Sequence, residues 1–163
     1  MNRRWAWMIL AGLLLVVAPL FLLASSRSSG GNAAALPRAN LSISHDGRVV
    51  ARVRAEVAAT AEARARGLMF RKTLGRNEGM LLLWPTSRRV AIWMKNTYLP
   101  LDIVFIDVNG RVVRVHERAR PLATRIIPSG TPVIAVLEVP AGMAKRLGLR
   151  RGAVVSLPRH AVE

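Results

Sequence analysis

From Leu41 onward the chain is a series of short apolar runs cut by turn residues, and the period of those runs predicts strands rather than long helices. Val53, Ala55 and Val57 alternate with Arg52, Arg54 and Glu56, the period-two pattern of a half-exposed strand. Four further runs, at 79–84 (GMLLLW), 90–94 (VAIWM), 101–106 (LDIVFI) and 133–139, are apolar almost throughout, which predicts strands buried on both faces. Pro85 and Pro140 are expected to stop two of them. His45-Asp46-Gly47 reads as a turn, and Asn109-Gly110 as a hairpin folding 103–108 back onto 111–116. GAVVSL at 152–157 supplies a last strand. Two short helices are expected: Thr60 caps one over 61–66 that Gly67 closes, and the second runs over 141–147 and ends at Gly148. No repeat is present. The spacing of the runs is read as too tight for parallel crossovers, so a doubly wound sheet is not expected. The pattern predicts an α+β class domain: a compact, mostly antiparallel β-sheet or barrel-like domain of about seven strands with two short helices.

The first 26 residues are different. MNRRWAWMILAGLLLVVAPLFLLASS has a short basic start and an uncharged run from Trp5 to Ser26. Export machinery reads that pattern and leaves Arg3 and Arg4 on the cytoplasmic side. The run is long for a cleaved signal peptide and just long enough for a transmembrane helix of about 20 residues, so both a signal and an N-terminal membrane anchor fit it. Residues 27–40, rich in Ser, Gly and Ala, read as a flexible linker, and 41–163 as a single globular domain. The expected location is therefore outside the cytoplasm: periplasmic, or anchored to the inner membrane with the domain outside.

The formal charge is +16; four arginines precede Leu41, so +12 remains on the domain. Its arginines are scattered and lack the aromatic interleaving of a nucleic-acid surface, so no nucleic-acid partner is expected. The same surface suits anionic lipid head groups. There is no cysteine, so disulfides and thiolate metal sites are absent. His45, His116 and His160 lie far apart in sequence and read as surface residues, and no phosphate loop, His-x-x-x-His pair or serine elbow occurs. Neither a cofactor nor a metal is expected.

Polar residues inside apolar runs are the candidate chemistry. Lys95 shares a strand face with Trp93; Asp102 opens the next strand; Glu138 sits within the run at 133–139. A buried carboxyl group needs a cation or several donors, and Lys95 is the expected partner of Asp102. A pocket lined by Met69, Met80, Trp93 and Met94, with Lys95 and Asn96 at its mouth, matches the makeup of small-ligand sites.

These residues carry a resemblance. RGLMFRKTL (66–74), EGMLLLW (78–84), IWMKNTYLPLDIVFID (92–107), NGRVV (109–113) and LEVPAGMAKRLGLRRG (137–152) together resemble the domain of unknown function 192 family over about residues 49–158. The resemblance implies a compact, largely β domain, often behind a signal sequence or lipid anchor, and supplies no reaction. It maps the family signature onto Gly67, Leu68, Met69, Arg71, Gly79, Met80, Trp93, Met94, Lys95, Asn96, Thr97, Leu101, Asp102, Glu138 and Gly142. Ile92 stands where family members usually carry Phe, and Ala153 where an acid follows the last glycine.

Three functions compete. The first is a binding or accessory module in which Lys95, Asn96, Thr97, Asp102, Glu138, Arg66, Arg71 and Trp93 receive a small anionic ligand or an envelope partner. The second is a hydrolytic enzyme using Asp102 and Glu138 as an acid/base pair tuned by Lys95, with no nucleophile or metal set in view. The third is a purely structural envelope protein in which these side chains serve the fold.

Overall fold

The computed structural model describes residues 35–158. In chain order the elements are β1 (Arg38–His45), β2 (Arg48–Ala58), α1 (Ala61–Arg66), β3 (Glu78–Arg88), β4 (Ala91–Ile92), β5 (Leu101–Ile106), β6 (Val112–Ala119), β7 (Ile127–Pro128), β8 (Val133–Pro140), α2 (Met143–Arg146) and β9 (Val154–Val155). Seven strands form one sheet in the order β6-β5-β8-β3-β2-β1-β9, and β4 and β7 pair in a separate ribbon. Arg111 bridges Val154, while Val112 N–H donates to Ala153 O and Val155 N–H to Gly110 O, both at 2.8 Å. The last strand thus reaches round to the start of β6, and the sheet curls into a half-barrel. This is the mostly antiparallel α+β domain that the pattern predicts.

The curled sheet separates two apolar cores. One holds Leu41, Ile43, Val53, Leu81, Val104, Leu137 and Val139 with Met143, Ala144 and Leu147 from the α2 region. The other holds Met80, Leu82, Ile103, Phe105 and Val136 with Leu68, Ile92, Met94 and Ile127. Successive side chains of a strand point to opposite faces, so 80–83 of β3, 103–106 of β5 and 133–137 of β8 are apolar at every position to serve both cores. That is why their sequences show no alternation.

The turn chemistry follows the expectation. Asp46 and Gly47 both have positive φ, at 49° and 78°, and Gly110 of the second hairpin sits at 74°. Thr60 Oγ1 accepts from Ala63 N–H at 3.1 Å to start α1.

Four expectations are corrected. β2 and β3 are parallel, with Arg54 opposite Glu78 and Ala58 opposite Leu82, and α1 lies in the crossover. Residues 59–77 give that connection ample length. β3 runs through Pro85 to Arg88, with an irregularity between Leu83 and Arg88 that absorbs the proline. Only Ala91–Ile92 of the run 90–94 is strand, and it belongs to the small ribbon. Finally, β1 begins at Arg38, so the last residues expected as linker are in the sheet. The expected signal or anchor at 1–26 lies outside the described residues; among those described, no helix is long and apolar enough to cross a membrane.

Candidate functional site

Glu138 occupies the middle of β8, with Met80 of β3 opposite on one side and Ile103 of β5 on the other. Its carboxyl group therefore stands in an apolar row. The residue is 5% exposed, and among the described residues no hydrogen bond or ion pair reaches it. Burial alone pushes its pKa up to about 7. What exposure it retains is toward a cleft of about 420 Å³ between α1 and the segment running from Arg88 to Thr97.

The cleft is built by the crossover. Gly67 closes α1 with φ 48° and ψ −135°, and a Cβ there would lie 3.8 Å from Glu138 Oε2. The helix end thereby comes down over the carboxyl group. Leu68, Leu82 and Thr97 are buried in the lining, and Met69, Trp84 and Trp93 complete it. Four arginines also line it: Arg64, Arg66, Arg88 and Arg89. Arg64 is committed, donating to Leu83 O at 2.8 Å and to Ala59 O and stacking 5.3 Å from the centre of the Trp84 ring. Arg66, Arg88 and Arg89 make no ion pair among the described residues.

Of the residues singled out in the sequence, Glu138, Thr97, Arg66 and Trp93 meet at this cleft, with Met69. The others do not. Asp102 is fully buried, and its two carboxyl oxygens accept from Arg118 N–H at 2.8 Å and Ala144 N–H at 2.9 Å. One donor sits where the backbone of β6 turns to φ 53°, the other in the first turn of α2. Asp102 thus fastens two elements to β5 and needs no lysine. The expected partnership with Lys95 does not form: Lys95 is exposed, and its Nζ rests 5.2 Å from the centre of the Trp93 ring. Asn96 takes a left-handed backbone, φ 57°, and its carbonyl accepts from Phe70 N–H at 2.8 Å. Arg71 forms a two-pronged ion pair with Glu56, whose carboxyl is held below its ordinary range mainly by the hydrogen bond from Arg71. Met80 and Met94 are core residues at 1% exposure.

Nor do Asp102 and Glu138 form an acid/base pair. Asp102 lies opposite Val139, so Glu138, one position earlier, projects to the other face. No cluster of His, Asp or Glu suited to a metal occurs among the described residues. The sequence reading missed Trp84, Arg64, Arg88 and Arg89. The Arg88-Arg89 pair at the end of β3 was the available signal, diluted by the many other arginines.

A small half-barrel with one cleft beside a parallel crossover is the class of protein that this geometry defines. The chain belongs to the domain of unknown function 192 family, described as uncharacterized ACR, whose model matches residues 41–157. No curated protein matches it. Among solved structures, a Sinorhizobium meliloti 1021 protein provisionally described as a transcription regulator is 37% identical with a TM-score of 0.71, covering 75% of this chain and 95% of its own. A protein of unknown function from Novosphingobium aromaticivorans DSM 12444 is 34% identical with a TM-score of 0.72, covering 78% and 90%. The alignments take in nearly all of those two chains.

Proposed function

We propose that this is a small-ligand binding module working outside the cytoplasm. The observation that carries the reading is Glu138, a buried carboxyl group with no partner among the described residues, opening on a cleft rimmed by Arg66, Arg88 and Arg89. Leaving such a group unpaired costs stability. A ligand hydroxyl, amide or amine that donates to Glu138 offsets that cost on binding. An anionic group on the same ligand meets the rim arginines, and Trp84, Trp93 and Met69 cover its apolar part. The uncharged run at 5–26 supports the extracytoplasmic part of the reading.

The hydrolytic reading has lost its acid/base pair. The description attached to the Sinorhizobium protein finds little support here, because the two helices among the described residues are six and four residues long, short for reading a DNA groove. The test is calorimetric titration of residues 35–163 with sugar phosphates, hydroxy acids and amino acids, each of which joins an anionic group to a donor. At least one class is expected to bind, and Glu138→Gln and the double change Arg88→Gln/Arg89→Gln should each weaken it. Binding that survives both, or no binding by any class, overturns the proposal.

A further inference from the structure

Beside the cleft, three loops are tied into one surface by backbone hydrogen bonds. Phe70 N–H donates to Asn96 O at 2.8 Å, Leu122 N–H to Thr97 O at 3.0 Å, and Met94 N–H to Ala123 O at 3.0 Å. The loops carry Phe70, Trp93, Tyr98, Leu122 and Ile126, which are 46–62% exposed. Phe70 and Tyr98 meet edge to face at 6.3 Å. In the β4–β7 ribbon Ile92 lies opposite Ile127, and Trp93 and Ile126 are the next residues along each strand.

Two of these tips are strained. Phe70 and Leu122 hold φ of 63° and 61°, a region that bulky side chains avoid. Large apolar residues kept exposed at a backbone cost are a mark of a working surface. Segments 66–77, 93–100 and 118–127 carry eight lysines and arginines and not one aspartate or glutamate. Below the Leu122 loop lies a hollow of about 670 Å³, apolar at Ile126 and Ile127 and edged by His116, Arg120 and Arg125.

We propose that these three loops form a face that docks on an anionic lipid surface, the apolar tips entering the head-group region and the arginines pairing with phosphates. Aromatic and aliphatic tips among cations are the composition of interfacial anchoring. The sequence agrees: eleven residues separate the uncharged run at 5–26 from β1, a reach of at most about 40 Å. The inference is independent of the cleft ligand, although Trp93 belongs to both surfaces.

The experiment is co-sedimentation of residues 35–163 with vesicles of phosphatidylglycerol and phosphatidylcholine in equal parts, against phosphatidylcholine alone. Binding is expected only to the anionic vesicles, weaker at high salt, with a blue shift in tryptophan emission from Trp93. Asparagine tolerates the left-handed backbone, so Phe70→Asn and Leu122→Asn remove the tips while relieving strain. The double variant should melt no lower than the parent yet partition roughly tenfold less. Arg120→Gln with Arg125→Gln should lose roughly tenfold or more. Val50→Asn, an exposed apolar site on β2, should change nothing. Three results overturn the proposal: no binding to anionic vesicles, equal binding by the tip variants, or equal loss in Val50→Asn. Retention by polyglutamate without vesicle binding also overturns it and assigns the face to an acidic protein.

Discussion

Asp102 and Glu138 stand on neighbouring strands, one position out of register, and their carboxyl groups lie on opposite faces of the sheet. The same chemistry meets two different fates. Asp102 is saturated by two backbone donors and joins β6 and α2 to β5. Among the described residues Glu138 meets no donor, and it faces the cleft. A single strand step therefore separates a structural carboxyl group from a candidate binding group, and each is open to its own test.

Asp102→Ala leaves the amides of Arg118 and Ala144 without an acceptor in a buried setting. At roughly 1–3 kcal/mol for each of the two orphaned donors, the loss is expected at about 2–6 kcal/mol. Asp102→Asn keeps one acceptor oxygen and sets its amide against the other donor, so it should fall between the alanine variant and the parent. Urea unfolding of the three proteins measures this. A loss below about 1 kcal/mol for alanine would remove the fastening role.

Glu138 makes stability depend on pH in the opposite sense to an ion-paired acid. Burial raises its pKa from 4.5 to about 7, so the folded chain keeps a proton that the unfolded chain has released. Stability from this group is greatest below pH 4.5, falls as pH rises through that interval, and levels off above 7. At about 1.4 kcal/mol per pH unit the loss is about 3 kcal/mol, an upper limit. Glu56, whose carboxyl is lowered chiefly by Arg71, acts the other way and loses its contribution as pH falls below 4.5, outside that window. Glu138→Gln should match the parent near pH 4 and exceed it at pH 8. Parallel curves for the two proteins would sink this account.

Much of this was legible in the sequence because it is local. The Thr60 cap, the Gly67 stop and the two turns depend on a few neighbouring residues, and each stands where the pattern put it. The parallel pairing of β2 with β3 depends instead on where residues 67–77 carry the chain, which no short period encodes. The site divides along the same line. Glu138 was recognisable as a polar residue in a buried run. The partners of Asp102, by contrast, are backbone amides 16 and 42 residues away, and backbone donors leave no mark in side-chain identity. Lys95 was the nearest cation in sequence, yet Trp93 offered it a ring without the cost of burial.

Gly79 tests how closely β3 and β8 must approach beneath Glu138. A Cβ at this position would lie 2.6 Å from the Glu138 carbonyl oxygen, a backbone atom that cannot swing aside. Gly79→Ala must therefore push the two strands apart and disturb both cores. A loss of about 1–3 kcal/mol is expected in denaturant unfolding, with slower exchange protection lost first at amides of β3 and β8. A neutral result would mean that the pairing has slack that the geometry does not show.

Gly67 joins backbone strain to the chemistry of the cleft. Its φ of 48° with ψ of −135° belongs to a region open in practice to glycine. Gly67→Ala should therefore cost about 1–3 kcal/mol in unfolding experiments. Its methyl group would also enter the space 3.8 Å from Glu138 Oε2 and displace solvent from the carboxyl. Less solvent means a greater penalty on the charged form, so the Glu138 pKa should rise above its present value of about 7. A carbon-13 titration of the Glu138 carboxyl in both proteins reads this directly, at temperatures where both are folded. An unchanged or lowered midpoint in the alanine variant would show that Gly67 does not govern access to Glu138.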